Sequence, residues 1–219
     1  MIDTATLPPR TRKARGQGAS RRGEILLAAK QLFLEEGVEH ATMRRIAAAV
    51  GVSPTALYVY FPDKSAILQA IADAMFGELL AVHAESQQKD GTPLDRFRAG
   101  LHAYVSLGLA RADEYRLTFS TIRMTSACRD VSAADQSFEM LERGVAELME
   151  AGVFARLDTT LVAEALWAVM HGVVVLLLDH DQHIVSDHQT LVDTLLDAAI
   201  CGFTAPASRE RRSPNINGA

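Results

Sequence analysis

The chain contains few of the residues and segments that mark several large protein classes. Its 219 residues include only two cysteines, Cys128 and Cys201, which are too few for a disulfide framework and are expected to be reduced thiols. The first twenty residues contain no apolar segment of the kind found in secretory signals. The longest apolar run, residues 165–178, includes His171 and is shorter than a bilayer crossing requires. These absences predict a soluble cytoplasmic protein with no membrane partner.

Strand patterns and catalytic motifs are also absent from the sequence. No segment shows sustained apolar–polar alternation together with enrichment in β-branched residues. There is no phosphate-binding P-loop, no Gly-x-Ser-x-Gly and no His-Glu-x-x-His. We therefore expect an all-α chain that is not an enzyme and uses no cofactor.

The charged residues are divided unevenly along the chain. With 22 Lys and Arg against 27 Asp and Glu, the formal net charge is −5, whereas nucleic-acid-binding domains are usually basic. Residues 1–68, however, contain ten basic and six acidic residues, a net charge of +4, so the remainder carries −9. The N-terminal part is therefore the candidate for contact with nucleic acid.

Capping residues and apolar spacing predict about nine helices. A hydrophobic content of 48% is typical of a globular protein with a sizeable core. Outside the helices we expect a flexible basic arm over residues 1–19, a loop over 123–131 and a disordered tail over 204–219. The predicted helices cover approximately residues 20–36, 43–50, 54–60, 63–87, 93–111, 114–122, 133–152, 159–178 and 187–203.

Residues 42–64 have the spacing of a helix-turn-helix. Two short helices meet at Gly51, where glycine permits the left-handed conformation that a tight turn between helices requires. Ile46, Val52 and Leu57 would supply the shared core of the two helices. This arrangement predicts a compact DNA-binding motif in the basic part of the chain.

The second helix of this motif would present Thr55, Ala56 and Tyr58 to a major groove. The Thr42 hydroxyl with its neighbouring helix-start amides, and Lys64 at the start of the next helix, are placed to bind phosphate. The predicted DNA-binding residues are Thr42, Arg44, Ser53, Pro54, Thr55, Ala56, Tyr58, Tyr60 and Lys64.

The aromatic residues that follow the turn have two interpretations. Tyr58, Tyr60 and Phe61 could together close a small core by packing. For Phe61 we favour this packing role. For Tyr58 and Tyr60 a phosphate contact through the hydroxyl is an equal alternative.

This motif resembles the N-terminal DNA-binding domain of the TetR family of transcriptional regulators over about residues 21–70. The matching segment is LFLEEGVEHATMRRIAAAVGVSPTALYVYFPDKSAIL, in which helix phase, turn, aromatic cluster and Lys64 all agree. Tyr60 stands where family members commonly carry histidine. The resemblance implies a homodimer whose recognition helices, residues 54–60, each read one half of a pseudo-palindromic operator.

The resemblance also implies a domain order. A DNA-binding domain would cover residues 20–68, and a connecting helix over 64–87 would lead to a ligand-binding and dimerisation domain over 69–203. Residues 167–172, WAVMHG, resemble a Trp…His-Gly signature in the C-terminal domain of one TetR subgroup. In the family, the helix with this signature and the last helix form a four-helix dimer interface. Apolar residues 173–178 agree with this, as does a stripe at helical spacing: Leu191, Leu195, Leu196 and Ala199.

An inducer pocket in the C-terminal helices is a further implication of the family. We expect a small apolar or aromatic ligand, with a few polar groups such as Tyr104 and His171 to orient it. The candidate ligand-binding residues are Phe97, Tyr104, Tyr115, Phe119, Phe138, Trp167, Met170 and His171.

The sequence therefore predicts a dimeric repressor that a small ligand releases from its operator. One alternative is a metal- or redox-sensing regulator that uses His180, His183 and His188, or Cys128. Another is a nonspecific DNA-compacting protein that binds through the basic arm, residues 10–15.

Overall fold

The computed structural model describes residues 18–87, 90–121 and 132–205, and within them it contains nine α-helices. The described residues divide into two compact units, the first ending at Ile67 and the second beginning at Leu68. The predicted all-α class is confirmed. Most of the predicted arm, the predicted loop with Cys128, and the tail beyond residue 205 lie outside the described residues.

The first unit is built from α1 (Gly18–Glu36), α2 (Met43–Val50), α3 (Pro54–Tyr58) and the first turn of α4 (Lys64–Ser86). α1 begins at Gly18, two residues before its predicted start. The core is formed by apolar side chains at helical spacing on α1 together with residues from the short helices: Ile25, Ala29, Phe33, Ile46, Ala47, Leu57 and Phe61.

Side-chain caps define where the short helices begin. Thr42 precedes α2, Ser53 precedes α3, and in each case the hydroxyl accepts a hydrogen bond from the backbone three residues later. Asp63 does the same for α4, since its Oδ1 accepts from the Ala66 N–H at 2.8 Å. The predicted starts of these helices are thus confirmed.

The second unit contains the rest of α4 and five further helices around α8. These are α5 (Pro93–Ala110), α6 (Ala112–Thr121), α7 (Ala133–Glu150), α8 (Thr159–Asp179) and α9 (His188–Phe203). α8 contacts α5, α7 and α9, so it forms the centre of the unit. Its buried face includes Leu166 and Met170. A short 3₁₀ helix, Asp181–His183, connects α8 to α9 and was not predicted.

α5 and α7 each begin with a capping box. Thr92 and Asp95 exchange side-chain and backbone hydrogen bonds, and Ser132 and Asp135 do the same. The hydrogen bonds from the Ser132 hydroxyl and N–H hold the pKa of the Asp135 carboxyl below its usual value. These local pairs place the helices that line the cavity described below.

The C-terminal end of α9 is paired with the loop after α7. Phe154 and Thr204 form an isolated antiparallel bridge. The Ala155 N–H donates to the Phe203 carbonyl at 2.8 Å, and the Ala205 N–H donates to the Val153 carbonyl at 3.0 Å. The predicted disordered tail is therefore wrong for residues 204 and 205, because the Thr204 N–H donates to the Cys201 carbonyl of α9 and the Ala205 N–H donates to this loop.

Two helices, α4 and α8, are long and apolar enough to cross a membrane. The apolar run of residues 165–178 is by itself shorter than a bilayer crossing, but it lies within α8, which has 21 residues and a length of about 32 Å. Core helices of soluble proteins meet the same two conditions, and part of α8 is buried in the second unit. Length and composition alone therefore do not show that either helix crosses a membrane.

Candidate functional site

Two short helices in the first unit, α2 and α3, form the helix-turn-helix. Gly51 ends α2 with a φ of 69°, in the left-handed region that glycine adopts without steric cost. The N–H groups of Gly51 and Val52 donate to carbonyls in the last turn of α2. The Ser53 Oγ then accepts from the Ala56 N–H at 3.2 Å, and the fully buried Leu57 packs α3 against the unit. The turn has the geometry that the sequence predicted.

The outer side of α3 presents a row of accessible side chains. Pro54 and Thr55 are exposed and Ala56 is half-buried, while Tyr58 is 52% exposed. Val59, the residue after the helix, is 80% exposed. One side chain of this five-residue helix is fully buried and the others are accessible, which is what a helix entering a major groove requires.

The groups predicted to bind phosphate also have roles within the first unit. The Thr42 Oγ1 accepts from the Arg45 N–H at 3.3 Å, which leaves its own O–H able to donate elsewhere. Arg44 is exposed. The Lys64 Nζ donates to the Val38 carbonyl at 2.5 Å and has two further N–H donors. These hydrogen bonds fix Thr42 and Lys64 in position at the starts of α2 and α4.

The three aromatic residues after the turn have different surroundings. Phe61 is 1% exposed, and the Arg22 guanidinium carbon lies 4.7 Å from its ring centroid, so its predicted packing role is confirmed. The exposure of Tyr58 contradicts a packing role for that residue. Tyr60 is half-buried and lies beyond the end of α3, so the prediction that the recognition helix extends to residue 60 is wrong.

The second unit contains a cavity of about 490 Å³ lined by residues of α4, α5, α6, α7 and α8. This volume lies within the usual range for sites that bind small molecules. Aromatic rings form much of its wall; for example, the Phe138 and Trp167 rings pack edge to face at 6.2 Å. Six of the eight predicted ligand-binding residues line it: Phe97, Tyr104, Phe119, Phe138, Trp167 and Met170.

The other two predicted ligand-binding residues, Tyr115 and His171, are not among the residues that line this cavity. They continue a chain of hydrogen bonds that starts at its wall. The Trp167 Nε1–H donates to the Tyr104 Oη at 3.1 Å, and the two tyrosine hydroxyl oxygens are 3.1 Å apart. The Tyr115 Oη lies 2.5 Å from the His171 Nδ1. Tyr115 and His171, both predicted to bind ligand, therefore lie behind the lining residues and connect to the cavity through Tyr104.

Burial sets the protonation of this hydrogen-bonded chain. It raises the pKa of both the Tyr104 and Tyr115 hydroxyls and lowers the pKa of the His171 imidazole, so all three groups are neutral near pH 7. We assign to the neutral His171 the tautomer with its proton on Nε2, so that Nδ1 accepts from Tyr115 and Tyr104 in turn donates to Tyr115. The Tyr104 oxygen, which already accepts from Trp167, is thereby fixed at the cavity wall.

The histidine-rich segment between α8 and α9 does not bring its three imidazoles together. The His188 Nε2 pairs with the Asp181 Oδ1 at 2.7 Å, whereas the rings of His180 and His183 pack with centroids 6.3 Å apart. In the part of the chain that the structure describes, no three His, Cys, Asp or Glu side chains are grouped to hold a metal ion. Cys128 lies outside that part.

Two family models match the chain, and the matches coincide with the helix-turn-helix and with the helices around the cavity. The model described as "Bacterial regulatory proteins, tetR family" matches residues 25–71, and "Tetracyclin repressor-like, C-terminal domain" matches residues 97–199. Together they cover more than half of the sequence. The chain belongs to the TetR family.

Relatives among the curated proteins match part of the chain. The HTH-type transcriptional repressor BepR of Brucella suis is 45% identical over 60 residues, which are 27% of this chain and 29% of BepR. The nucleoid occlusion factor SlmA of Actinobacillus pleuropneumoniae is 31% identical over 102 residues, 47% of this chain and 48% of SlmA. The matched region thus spans less than half the length of these relatives.

A solved structure of a protein of unknown function from Rhodococcus sp. RHA1 is similar over nearly its whole length. It has a TM-score of 0.74 at 25% identity and covers 88% of this chain and 100% of that protein. The arrangement of helices in both units is therefore one that occurs in experimentally determined structures.

Sequence reasoning missed the contribution of α4 to the cavity of this TetR-family protein. Phe76, Leu79 and His83 line it from that helix, at the spacing of one helical face. Opposite them, a Cβ at Gly100 would lie 3.1 Å from the His83 Nδ1, so glycine permits the close approach of α5. The spacing of Phe76 and His83 on one face was the available signal, but it does not separate a cavity wall from ordinary core.

The predicted dimer stripe on α9 is partly wrong. Leu196 is fully buried in the core of its own unit, and the other three members of the stripe are half-buried against that core. The accessible positions on these two helices include small residues, among them Ala168 and Gly172 on α8 and Gly202 on α9. A Cβ at Gly172 or Gly202 would meet no atom within 4 Å in the described structure.

Proposed function

We propose that this TetR-family chain is a homodimeric transcriptional repressor of the cytoplasm that binds a pseudo-palindromic operator and is released from it by a small ligand. One observation carries the DNA-binding part of this proposal. The buried Leu57 holds α3, while Thr55, Ala56 and Tyr58 remain accessible, in the part of the sequence with net positive charge. This combination suits sequence readout in a major groove.

The residues around α3 divide into two classes of contact. We assign base contacts to Thr55, Ala56 and Tyr58, because they lie on the accessible side of the helix. Phosphate contacts carry no direct sequence information and set the position of the helix in the groove. We assign these to residues at the helix starts and to the adjoining turn: Thr42, Arg44, Ser53, Tyr60 and Lys64.

The cavity supports the ligand-responsive part of the proposal. Its walls are mostly apolar and aromatic, and the Tyr104 hydroxyl and Trp167 indole provide polar groups held by hydrogen bonds. Ligand sites commonly combine an apolar wall with a few fixed polar groups. Phe97, Phe119, Phe138 and Met170 would contact the apolar part of a small aromatic molecule.

The small accessible residues of α8 and α9 support the homodimer. Ala168, Gly172 and Gly202 leave the backbones of these helices open to close approach by another helix. In a two-fold dimer the same surface of each protomer meets its copy. We place the interface on these two helices.

The proposed mechanism is a shift between two dimer states. In one state the two α3 helices match the spacing of successive major grooves, about 34 Å, and in the other they do not. A ligand that binds the second state more tightly withdraws the dimer from DNA. To convert an almost fully bound population into an almost fully released one, this preference must reach about 5 kcal/mol.

The proposal is tested by selecting genomic fragments with the purified full-length chain and footprinting the fragments that are recovered. A repressor of this kind protects a short inverted repeat, and a compound that fits the cavity removes that protection. Uniform protection of unrelated fragments would instead favour nonspecific compaction. Release by Zn²⁺ or an oxidant, with no effect of any organic compound, would replace the ligand part with metal or redox sensing.

A further inference from the structure

The charged groups around the cavity of the second unit are all of one sign. Asp135 and Glu139 on α7 and Glu164 on α8 belong to its lining, whereas no Lys or Arg is among the lining residues that the structure describes. Glu139 and Glu164 are exposed, so they lie where the cavity opens to solvent. An anionic ligand would meet negative charge at this opening and no cation from the described wall.

Glu139 and Glu164, the two glutamates at the rim of the cavity, differ from Asp135 in the hydrogen bonds that their carboxylates make. The Asp135 Oδ2 accepts from both the Ser132 hydroxyl, at 2.7 Å, and the Ser132 N–H, at 2.9 Å, so it serves the capping box. The structure gives Glu139 and Glu164 no such intrahelical role. Their charges are available to a group that enters the cavity from solvent.

The wall next to these glutamates consists of aromatic rings. Trp167 lies one helical turn after Glu164 on α8, and its ring packs against Phe138 at 6.2 Å and Phe119 at 6.5 Å. Aromatic faces attract cations, and tryptophan does so most strongly. A positive charge placed near Trp167 would therefore be stabilised by the ring and by the carboxylates of the rim.

We propose that the cavity binds a lipophilic organic cation, with its aromatic or aliphatic body between the phenylalanine rings and its positive charge near Trp167, Glu139 and Glu164. This inference rests on the ligand-responsive function proposed above and names the chemical class of the ligand. The size of the cavity, about 490 Å³, suits a drug-sized molecule. Carboxylic acids and phosphorylated compounds are disfavoured.

The sequence provides a direct probe of this cavity, because Trp167 is the only tryptophan in the chain. Its fluorescence, excited selectively, reports occupancy without DNA. The test uses tetraphenylphosphonium, tetraphenylborate and triphenylphosphine oxide, which have similar aromatic bodies and charges of +1, −1 and zero. We expect the cation to bind about tenfold more tightly than the anion, with the neutral compound between them. Titration calorimetry on the same samples should give one cation per chain.

Matched variants separate the rim charges from a general attraction of cations to an acidic protein. The double variant Glu139→Gln with Glu164→Gln should lower tetraphenylphosphonium affinity severalfold and reduce the preference for the cation. Glu150→Gln removes an exposed charge from the same helix, α7, outside the cavity, and should leave both unchanged. Added salt should reduce the cation preference in the unmodified chain.

Three results would overturn the inference: equal or tighter binding of tetraphenylborate, an unchanged cation preference in the double variant, or no binding of any probe. The first two would leave DNA binding and ligand release by an uncharged or anionic compound intact. Conversely, a chain that binds the cation as expected but selects no operator would refute the proposed function and leave this inference standing.

Discussion

Lys64 contributes to the first unit and to the proposed DNA contact through the same ammonium group. Its Nζ donates to the Val38 carbonyl, and its remaining donors are available to a phosphate. Lys64→Ala should weaken binding to every DNA sequence and lower the slope of affinity against salt concentration by about one, because one fewer counterion is released. Affinity measured at four or five salt concentrations checks this.

A basic residue elsewhere provides the control for this prediction. Arg156 is exposed and belongs to the second unit, so Arg156→Ala should leave the salt slope unchanged. If Lys64→Ala has the same slope as the unmodified chain, Lys64 is a structural residue that holds the loop near Val38 and makes no phosphate contact.

Tyr115 is a buried polar residue whose hydroxyl finds its hydrogen-bond partners within the protein. Its hydroxyl bonds to Tyr104 and His171, and its side chain is 2% exposed. Tyr115→Phe should lower the free energy of unfolding by about 1–3 kcal/mol, because the His171 Nδ1 loses its donor. Urea denaturation measures this, with Tyr58→Phe as a control that should change stability by less than about 0.5 kcal/mol. Equal effects of the two substitutions would mean that the buried hydroxyl adds nothing.

At the scale of helices, α8 provides the clearest test of the dimer interface. Gly172 is exposed, and a Cβ there would meet no atom within 4 Å in the described structure. Gly172→Glu should therefore preserve the protomer fold yet place a buried charge in a close helix–helix interface. We expect the dimer dissociation constant to rise at least a hundredfold, measured by sedimentation equilibrium, with little change in helical circular dichroism.

Gly77 on α4 provides a matched control for this experiment. It is also an exposed helical glycine of the second unit with no atom within 4 Å of a Cβ. Gly77→Glu makes the same chemical change and should leave the dimer intact. A Gly172→Glu dimer as stable as that of the unmodified chain would place the interface on another surface.

Helix starts were the part of the fold that the sequence predicted best. Thr42, Ser53, Ser132 and Asp158 each begin a helix by a hydrogen bond to the backbone three residues later. Such bonds depend on side chains a few residues apart, so a single sequence contains the necessary information. The start of α1 was the exception, since this helix begins two residues before its predicted start at residue 20.

Positions that depend on contacts between distant helices were predicted less well. Leu196 and its stripe have the spacing of an interface, but spacing does not distinguish a partner protomer from the core of the same unit. His171 and Tyr115 were predicted to bind ligand, but their polar groups bond to each other across two helices, and neither is among the residues that line the cavity. The pairing of Thr204 with Phe154 likewise joins segments fifty residues apart. Only the folded arrangement shows these contacts.

For the molecule as a whole, the half-buried histidines His83 and His171 predict a pH dependence of stability. Burial lowers the pKa of His83 and His171 below the ordinary value of 6.5, so the unfolded chain takes up these protons first as the pH falls. The free energy of unfolding should therefore decrease as the pH is lowered from 7.5 through 6.5 to 5.5. His171→Gln should show a shallower decrease in urea denaturation at these pH values. Identical pH profiles would contradict a buried neutral His171.

The charge distribution of the whole sequence agrees with DNA binding by the N-terminal part of the chain. Residues 1–68 carry +4 and the remainder −9, so the acidic part disfavours loose association with DNA and contact is left to the basic part. Net charge alone would have excluded nucleic acid, whereas its distribution along the chain identifies the segment that binds it.

In the proposed function, α3 reads a specific sequence in each half of a symmetric operator. Parallel selections from one random DNA library, with the unmodified chain and with Thr55→Ala, test this readout. We predict that the unmodified chain enriches an inverted repeat, and that Thr55→Ala enriches a repeat altered at the same position in both halves. Enrichment of unrelated sequences by the unmodified chain, or recovery of the same repeat at uniformly lower yield by the variant, would contradict the claim.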